Sequence, residues 1–261
     1  MSRTIADAFS KGKAFIPFIT CGDPSLEITE QLIYAMEEAG ADLIELGIPF
    51  SDPTAEGPVI MAANERALAG GVTTDMVFDM VERVRKKTDI PMVFMTYANV
   101  IYSYGSESFC RRAHKAGILG AILPDVPFEE KEEFTEVFQQ HGMDLISMIA
   151  PTSDQRIAMI AREAKGFLYM VSSLGVTGTR SSITTDIGAM AEKVRAVSDI
   201  PCAVGFGISN PAQARQMAQL TDGAIVGSAI VRLCAEYKEA CVPYVHDFVK
   251  SMKDALSAKT I

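Results

Sequence analysis

The chain has 261 residues, 48% of them hydrophobic, enough to bury a sizeable core. A formal net charge of −9 excludes the cationic footprint of a nucleic-acid binder and argues against an anionic membrane surface. No apolar run approaches the roughly 20 residues that span a bilayer, and Met1 to Lys13 lacks a signal peptide's apolar centre, so a soluble cytoplasmic protein is expected.

In chain order, the first apolar run, Phe15–Thr20, reads as a strand and Ser25–Glu38 as a helix. Ala39-Gly40 has the form of a helix C-cap and leads into a second strand, Leu43–Leu46. A helical pattern over Thr73–Lys87 ends at Asp89-Ile90-Pro91 before Met92–Met95, since proline is tolerated at a strand's first residue. Ala116-Gly117 is a second cap, before Ala121–Leu123. Lys131–His141 is helical; Leu145–Ile149 and Phe167–Val171 follow as strands. Asp199-Ile200-Pro201 introduces Cys202–Val204, and Asn210-Pro211 pairs a capping residue with the proline favoured at a helix's first position. Ala224–Val226 is the eighth strand.

Eight alternating units without a linker, low-complexity stretch or charge block predict one α/β domain over 1–261, a closed (β/α)8 TIM barrel with additional short helices. A doubly wound open sheet would also explain the alternation, but the chain has no dinucleotide fingerprint. Five cysteines without a CxxC spacing point to a reducing compartment, Cys21 and Cys202 as small core residues. His114, His141 and His246 lie in helical contexts near charges and read as solvated, not as metal ligands.

Glu45 is the most informative residue. It sits in an apolar strand near its C-terminal end, the catalytic end of a barrel, where an unpaired carboxylate is costly. Eleven positions on, Glu56 lies in a loop marked by Pro53, Gly57 and Pro58. Two carboxylates within reach outline an acid–base site, with a structural pairing of Glu45 to an arginine as the alternative. Asp23 and Asp52, beside prolines, are expected to brace turns, and Asp125 to do the same or face a partner. Tyr97 and Tyr169 could line an apolar pocket or pack in the core; Phe18 and Met95 read as pocket wall or core.

Three glycine-rich turns follow strands six, seven and eight: Gly175-Val176-Thr177-Gly178, Gly205-Phe206-Gly207 and Gly227-Ser228. Glycine lets backbone N–H groups approach an anion, and Ser228 can cap a helix and donate a hydroxyl, so these turns predict a phosphate site. The nearest cation in sequence is Arg180. Val176–Ile187 is long for a βα loop and is expected to form a lid.

Five motifs in order resemble the tryptophan synthase alpha subunit over essentially the whole chain. They are the stretches 18–24 (FITCGDP), 45–53 (ELGIPFSDP), 175–178 (GVTG), 205–209 (GFGIS) and 227–231 (GSAIV). The resemblance implies a lyase cleaving indole-3-glycerol phosphate to indole and glyceraldehyde 3-phosphate, with no cofactor in this chain. It also implies a beta partner that carries pyridoxal phosphate, in an alpha-beta-beta-alpha complex. By resemblance Glu45 is the general acid and base, Glu56 stabilises charge at the indole N–H, and Thr177 braces Glu56 when the lid closes. By the same resemblance Tyr169 would sit near Glu45 and the substrate, and Gly178, Gly207, Gly227 and Ser228 would bind its phosphate; Phe18, as pocket wall, and Tyr97, by its hydroxyl, are further substrate-contact candidates read from the residues themselves. The chain departs from the family at Glu56, usually aspartate, and at Met61, often glutamine. Its stretch before Phe15 is shorter than in many relatives, which predicts a less covered barrel bottom. A partner surface is expected around Pro53–Pro58 and Tyr97–Tyr104. A weakly catalytic regulatory subunit and another phosphate-binding barrel isomerase are the competing readings. Retention of both carboxylates and all the turns argues against the first. The absence of lysine or histidine at strand ends argues against the second.

Overall fold

A computed structural model describes residues 4–171, 187–205 and 207–257. Its strands are β1 Ala14–Thr20, β2 Ile44–Gly47, β3 Met92–Met95, β4 Gly120–Ile122, β5 Asp144–Ile149, β6 Leu168–Val171, β7 Cys202–Gly205 and β8 Gly223–Val226. All pairings are parallel and run in sequence order, and β8 pairs with β1 to close the barrel. The expected strands lie within a residue or two of these bounds.

Alternation along each strand divides the core. Phe15, Ile19, Ile44, Leu46, Phe94, Met170 and Val204 face outward and pack under the helices. Ile16, Leu43, Val93, Ile122, Ile146, Tyr169, Ala203 and Ile225 fill the interior. That two-sided burial is why the strands read as continuous apolar runs.

The helices are α1 Leu26–Glu38, α2 Pro58–Ala69, α3 Thr74–Val84, α4 Ala98–Tyr104, α5 Ser106–Lys115, α6 Glu132–Gln140, α7 Asp154–Glu163, α8 Ile187–Arg195, α9 Pro211–Leu220, α10 Ser228–Tyr237 and α11 Cys241–Ser257. Local chemistry sets several starts. Ser25 accepts from the Ile28 N–H at 3.2 Å and Asn210 from the Gln213 N–H at 3.0 Å. Gly40 and Gly117 take left-handed φ values of 101° and 83° at the ends of α1 and α5, which only glycine adopts cheaply.

The barrel's bottom is covered, contrary to the expectation from the short N-terminal stretch. A 3₁₀ turn at Ala6–Phe9 buries Ile5 and Ala8 in the interior cluster, and the Phe9 ring packs on Phe167 with centroids 5.7 Å apart. All five cysteines are free and buried; Cys202 lies in β7, whereas Cys21 sits one residue beyond β1. The histidines differ from expectation too. His114 is exposed, but His141 is largely covered with its Nε2 2.9 Å from Glu107, and His246 lies beside Asp247. Among the described residues no cluster of three or more His, Cys, Asp or Glu could hold a metal ion, and no helix is long and apolar enough to cross a membrane.

Candidate active site

Glu45 projects from β2 into the barrel, in register with Phe18 of β1 and Val93 of β3. It is 1% exposed, and its Oε2 has no hydrogen-bond partner among the described residues. The structural alternative, a pairing with arginine, is therefore not what holds it there. Burial first, then the negative charge of Glu56, push its carboxyl up to about 8.

Glu56, in the loop from β2 to α2, lines the same cavity. The Asn64 side-chain N–H donates to it at 2.6 Å, and the Tyr97 hydroxyl is a second partner. Both favour the charged form, but burial outweighs them and the carboxyl rises to about 7. Asn64 escaped the sequence reading. Its signal was a lone amide on the apolar face of α2 that also presents Ile60, Ala63 and Ala67.

Tyr97 does not form part of the cavity lining expected of it. Its ring packs on Phe50 with centroids 5.1 Å apart, its hydroxyl accepts the Ala55 N–H at 3.3 Å, and it supports the Glu56 loop from behind. Phe18, Met95 and Tyr169 do line the cavity. A Cβ on Gly47 would stand 2.6 Å from the Phe18 ring, so the glycine ending β2 makes room for that ring. Burial and the charge of Glu45 hold the Tyr169 hydroxyl well above its ordinary pKa, so it is a neutral phenol.

On the β7 and β8 side of the cavity, Gly207, Gly227 and Ser228 come together in the lining with Ser209. Gly207 has φ 80°. Gly227, which has no side chain to cap with, holds the cap position of α10, and Ser228 is the helix's first residue. Arg232 of α10 also lines the cavity and was missed because it lies outside every glycine turn. Thr177, Gly178, Arg180 and nearly all of the expected lid fall outside the described residues.

The bracing aspartates are partly reassigned. Asp23 is buried and takes two hydrogen bonds from Arg66 of α2, at 2.8 and 2.7 Å, which ties the β1 end to α2 instead of bracing its own turn. Asp52 accepts from the neighbouring Ser51 hydroxyl, and Asp125 accepts the Ala98 N–H at the start of α4.

Residues 6–257 match the family model for the tryptophan synthase alpha chain. The chain belongs to that family. It is 48% identical to the tryptophan synthase alpha chain of Lactiplantibacillus plantarum, over 97% of this chain and 96% of that one. Among solved structures it is similar to Mycobacterium tuberculosis tryptophan synthase, with TM-score 0.89 and 33% identity over 99% of this chain and all of that one. The alpha chain from Legionella pneumophila superposes with TM-score 0.86 at 38% identity, covering 97% and 96%. The reaction of the tryptophan synthase alpha chain is cofactor-free cleavage of indole-3-glycerol phosphate in tryptophan biosynthesis. Pyridoxal phosphate resides in the beta subunit with which it assembles.

Proposed function

We propose that Glu45 and Glu56 divide the lyase chemistry between them. Cleavage needs a proton on indole C3 and loss of the side-chain hydroxyl proton. The bond to C3 then breaks, its electron pair returning to the ring while the hydroxyl carbon becomes the aldehyde. Protonated Glu45 delivers the proton to C3 and, as carboxylate, takes one from the hydroxyl, ending the cycle as it began. Glu56 stays ionised and accepts the indole N–H, balancing the positive charge that develops on nitrogen. The extra methylene of Glu56 relative to aspartate is accommodated by the contacts with Asn64 and Tyr97.

The observation that carries this reading is the buried, hydrogen-bond-free oxygen of Glu45 in a cavity shared with a second carboxylate. The substrate's phosphate sits against Gly207, Gly227 and Ser228, joined by Gly178, while Phe18 and Tyr169 flank the ring and Thr177 braces Glu56. The chain works as one domain over 1–261 in the cytoplasm, a setting that suits five free, buried thiols. The beta subunit docks at the mouth beside Pro53–Pro58 and α4, where Met61 and Tyr102 are exposed; Tyr97 and Ile101 of that stretch are buried and offer no contact.

Indole release from indole-3-glycerol phosphate, by the chain alone and with its beta subunit, tests the assignment. Glu45→Gln and Glu56→Ala should lose indole release while still binding a phosphate-bearing analogue, and Glu56→Asp should retain part of it. Normal turnover by Glu45→Gln would remove Glu45 from the mechanism.

A further inference from the structure

The cavity lining carries charge of both signs. Glu45 of β2 and Glu56 of the loop after it supply the carboxylates; one turn into α10 from Ser228 is Arg232, the cation of the described lining. Its Nε–H donates to the Ser228 carbonyl at 3.3 Å, a contact that draws the guanidinium back toward the start of α10. No carboxylate of the described residues lies within ion-pair range of it, and its two Nη groups have no partner there. Other arginines of this acidic chain are differently placed. Arg66 lies on Asp23, Arg112 on Asp75 and Asp79, and Arg156 on Glu129.

An unpaired guanidinium held over the opening turn of a helix, at the rim of a cavity, matches a phosphate monoester dianion. The helix terminus alone offers roughly half a unit of positive charge. The glycine turns after β7 and β8 add N–H dipoles but no cation. That the cavity is built for a ligand has a separate sign, the buried Oε2 of Glu45, which lines it without a partner.

We propose that Arg232 binds the substrate's phosphate through its two Nη groups and thereby sets the direction in which the substrate enters. This rests on reading Gly207, Gly227 and Ser228 as the phosphate end. With Arg232 on α10 beside those turns and the two carboxylates on β2 and its loop, the phosphate is attracted to α10 and a reversed pose meets like charge, so one residue serves both affinity and orientation. Arginine suits the role because its planar fork can give two parallel hydrogen bonds to phosphate oxygens.

The test is calorimetric titration of glycerol 3-phosphate into the full chain, with inhibition of cleavage by indole, which lacks phosphate, as the companion measurement. Arg232→Gln should weaken glycerol 3-phosphate binding about tenfold, the loss expected for charge-assisted hydrogen bonds, and flatten its salt dependence. Arg232→Lys should restore part of the affinity, and indole inhibition should be unchanged in both variants. Wild-type affinity in Arg232→Gln, with weakened binding in Ser228→Ala, would overturn the proposal while leaving the phosphate reading intact. Unweakened binding in both variants would overturn the two together. Equal loss of glycerol 3-phosphate and indole binding in Arg232→Gln would make the residue structural and also overturn it.

Discussion

At the scale of single residues, the proposed division of the chemistry asks opposite protonation states of two neighbouring carboxyls. Glu45 is pushed up to about 8 and Glu56 to about 7, so a window exists in which the first is protonated and the second ionised. We therefore expect a bell-shaped dependence of kcat/KM on pH, with an acidic limb near 7 from Glu56 and an alkaline limb near 8 from Glu45. Asn64→Ala removes a donor to ionised Glu56 and should move the acidic limb upward; an unmoved limb would reduce Asn64 to packing. Glu45 also costs stability in a predictable sense. Its pKa rises from 4.5 unfolded to about 8 folded, so its penalty is absent below 4.5 and grows as pH climbs through that window. Glu45→Gln should thus raise the unfolding free energy by on the order of 2 kcal/mol at alkaline pH and leave it unchanged in acid, as read by denaturant titration at several pH values. The burial of Glu45 was legible from its apolar neighbours. Asn64 was not, because its partner lies eight residues away across a loop whose path only the fold determines.

At the scale of elements, glycines at strand ends serve two purposes that look alike in sequence. Gly207 and Gly227 sit in turns that line the cavity, whereas Gly205 leaves room for a ring. A Cβ there would stand 2.7 Å from Cε1 and Cζ of Tyr169. Gly205→Ala should therefore displace Tyr169 toward Glu45, destabilise by roughly 1–3 kcal/mol as over-packing does, and lower kcat. Urea denaturation and steady-state kinetics check this together; an unchanged midpoint and kcat would mean the ring moves aside freely. A glycine's neighbours along the chain do not reveal which ring of the adjacent strand packs against it. Asp23 teaches the same lesson, since its proline neighbour suggested a turn while its actual partner, Arg66, lies 43 positions on in α2.

For the whole molecule, the barrel separates stability from chemistry by placing them at opposite ends. The mouth holds the carboxylates and glycine turns; the bottom is closed by the 3₁₀ turn and by Lys253 of α11, which donates to Asp42 at 2.6 Å and to the Lys13 carbonyl at 3.0 Å. Ile5→Ala should lower stability by about 2 kcal/mol through a cavity in the interior cluster, with KM for indole-3-glycerol phosphate unaltered. Thermal unfolding alongside kinetics tests it, and a raised KM would show that the two ends are coupled.

The sequence by itself determined the eight strands, their alternation with helices, the closed barrel, the family and Glu45 as an acid–base candidate. Each of these rests on local periodicity, short motifs or a desolvation cost evident from adjacent residues. Only the tertiary structure decided that Tyr97 stands behind Glu56 instead of in the cavity lining, that Asn64 holds Glu56, that Asp23 binds Arg66, that a short 3₁₀ turn suffices to cover the bottom, and that Arg232 reaches the cavity. These are contacts between residues far apart in the chain, and closure of the barrel is what converts that separation into proximity.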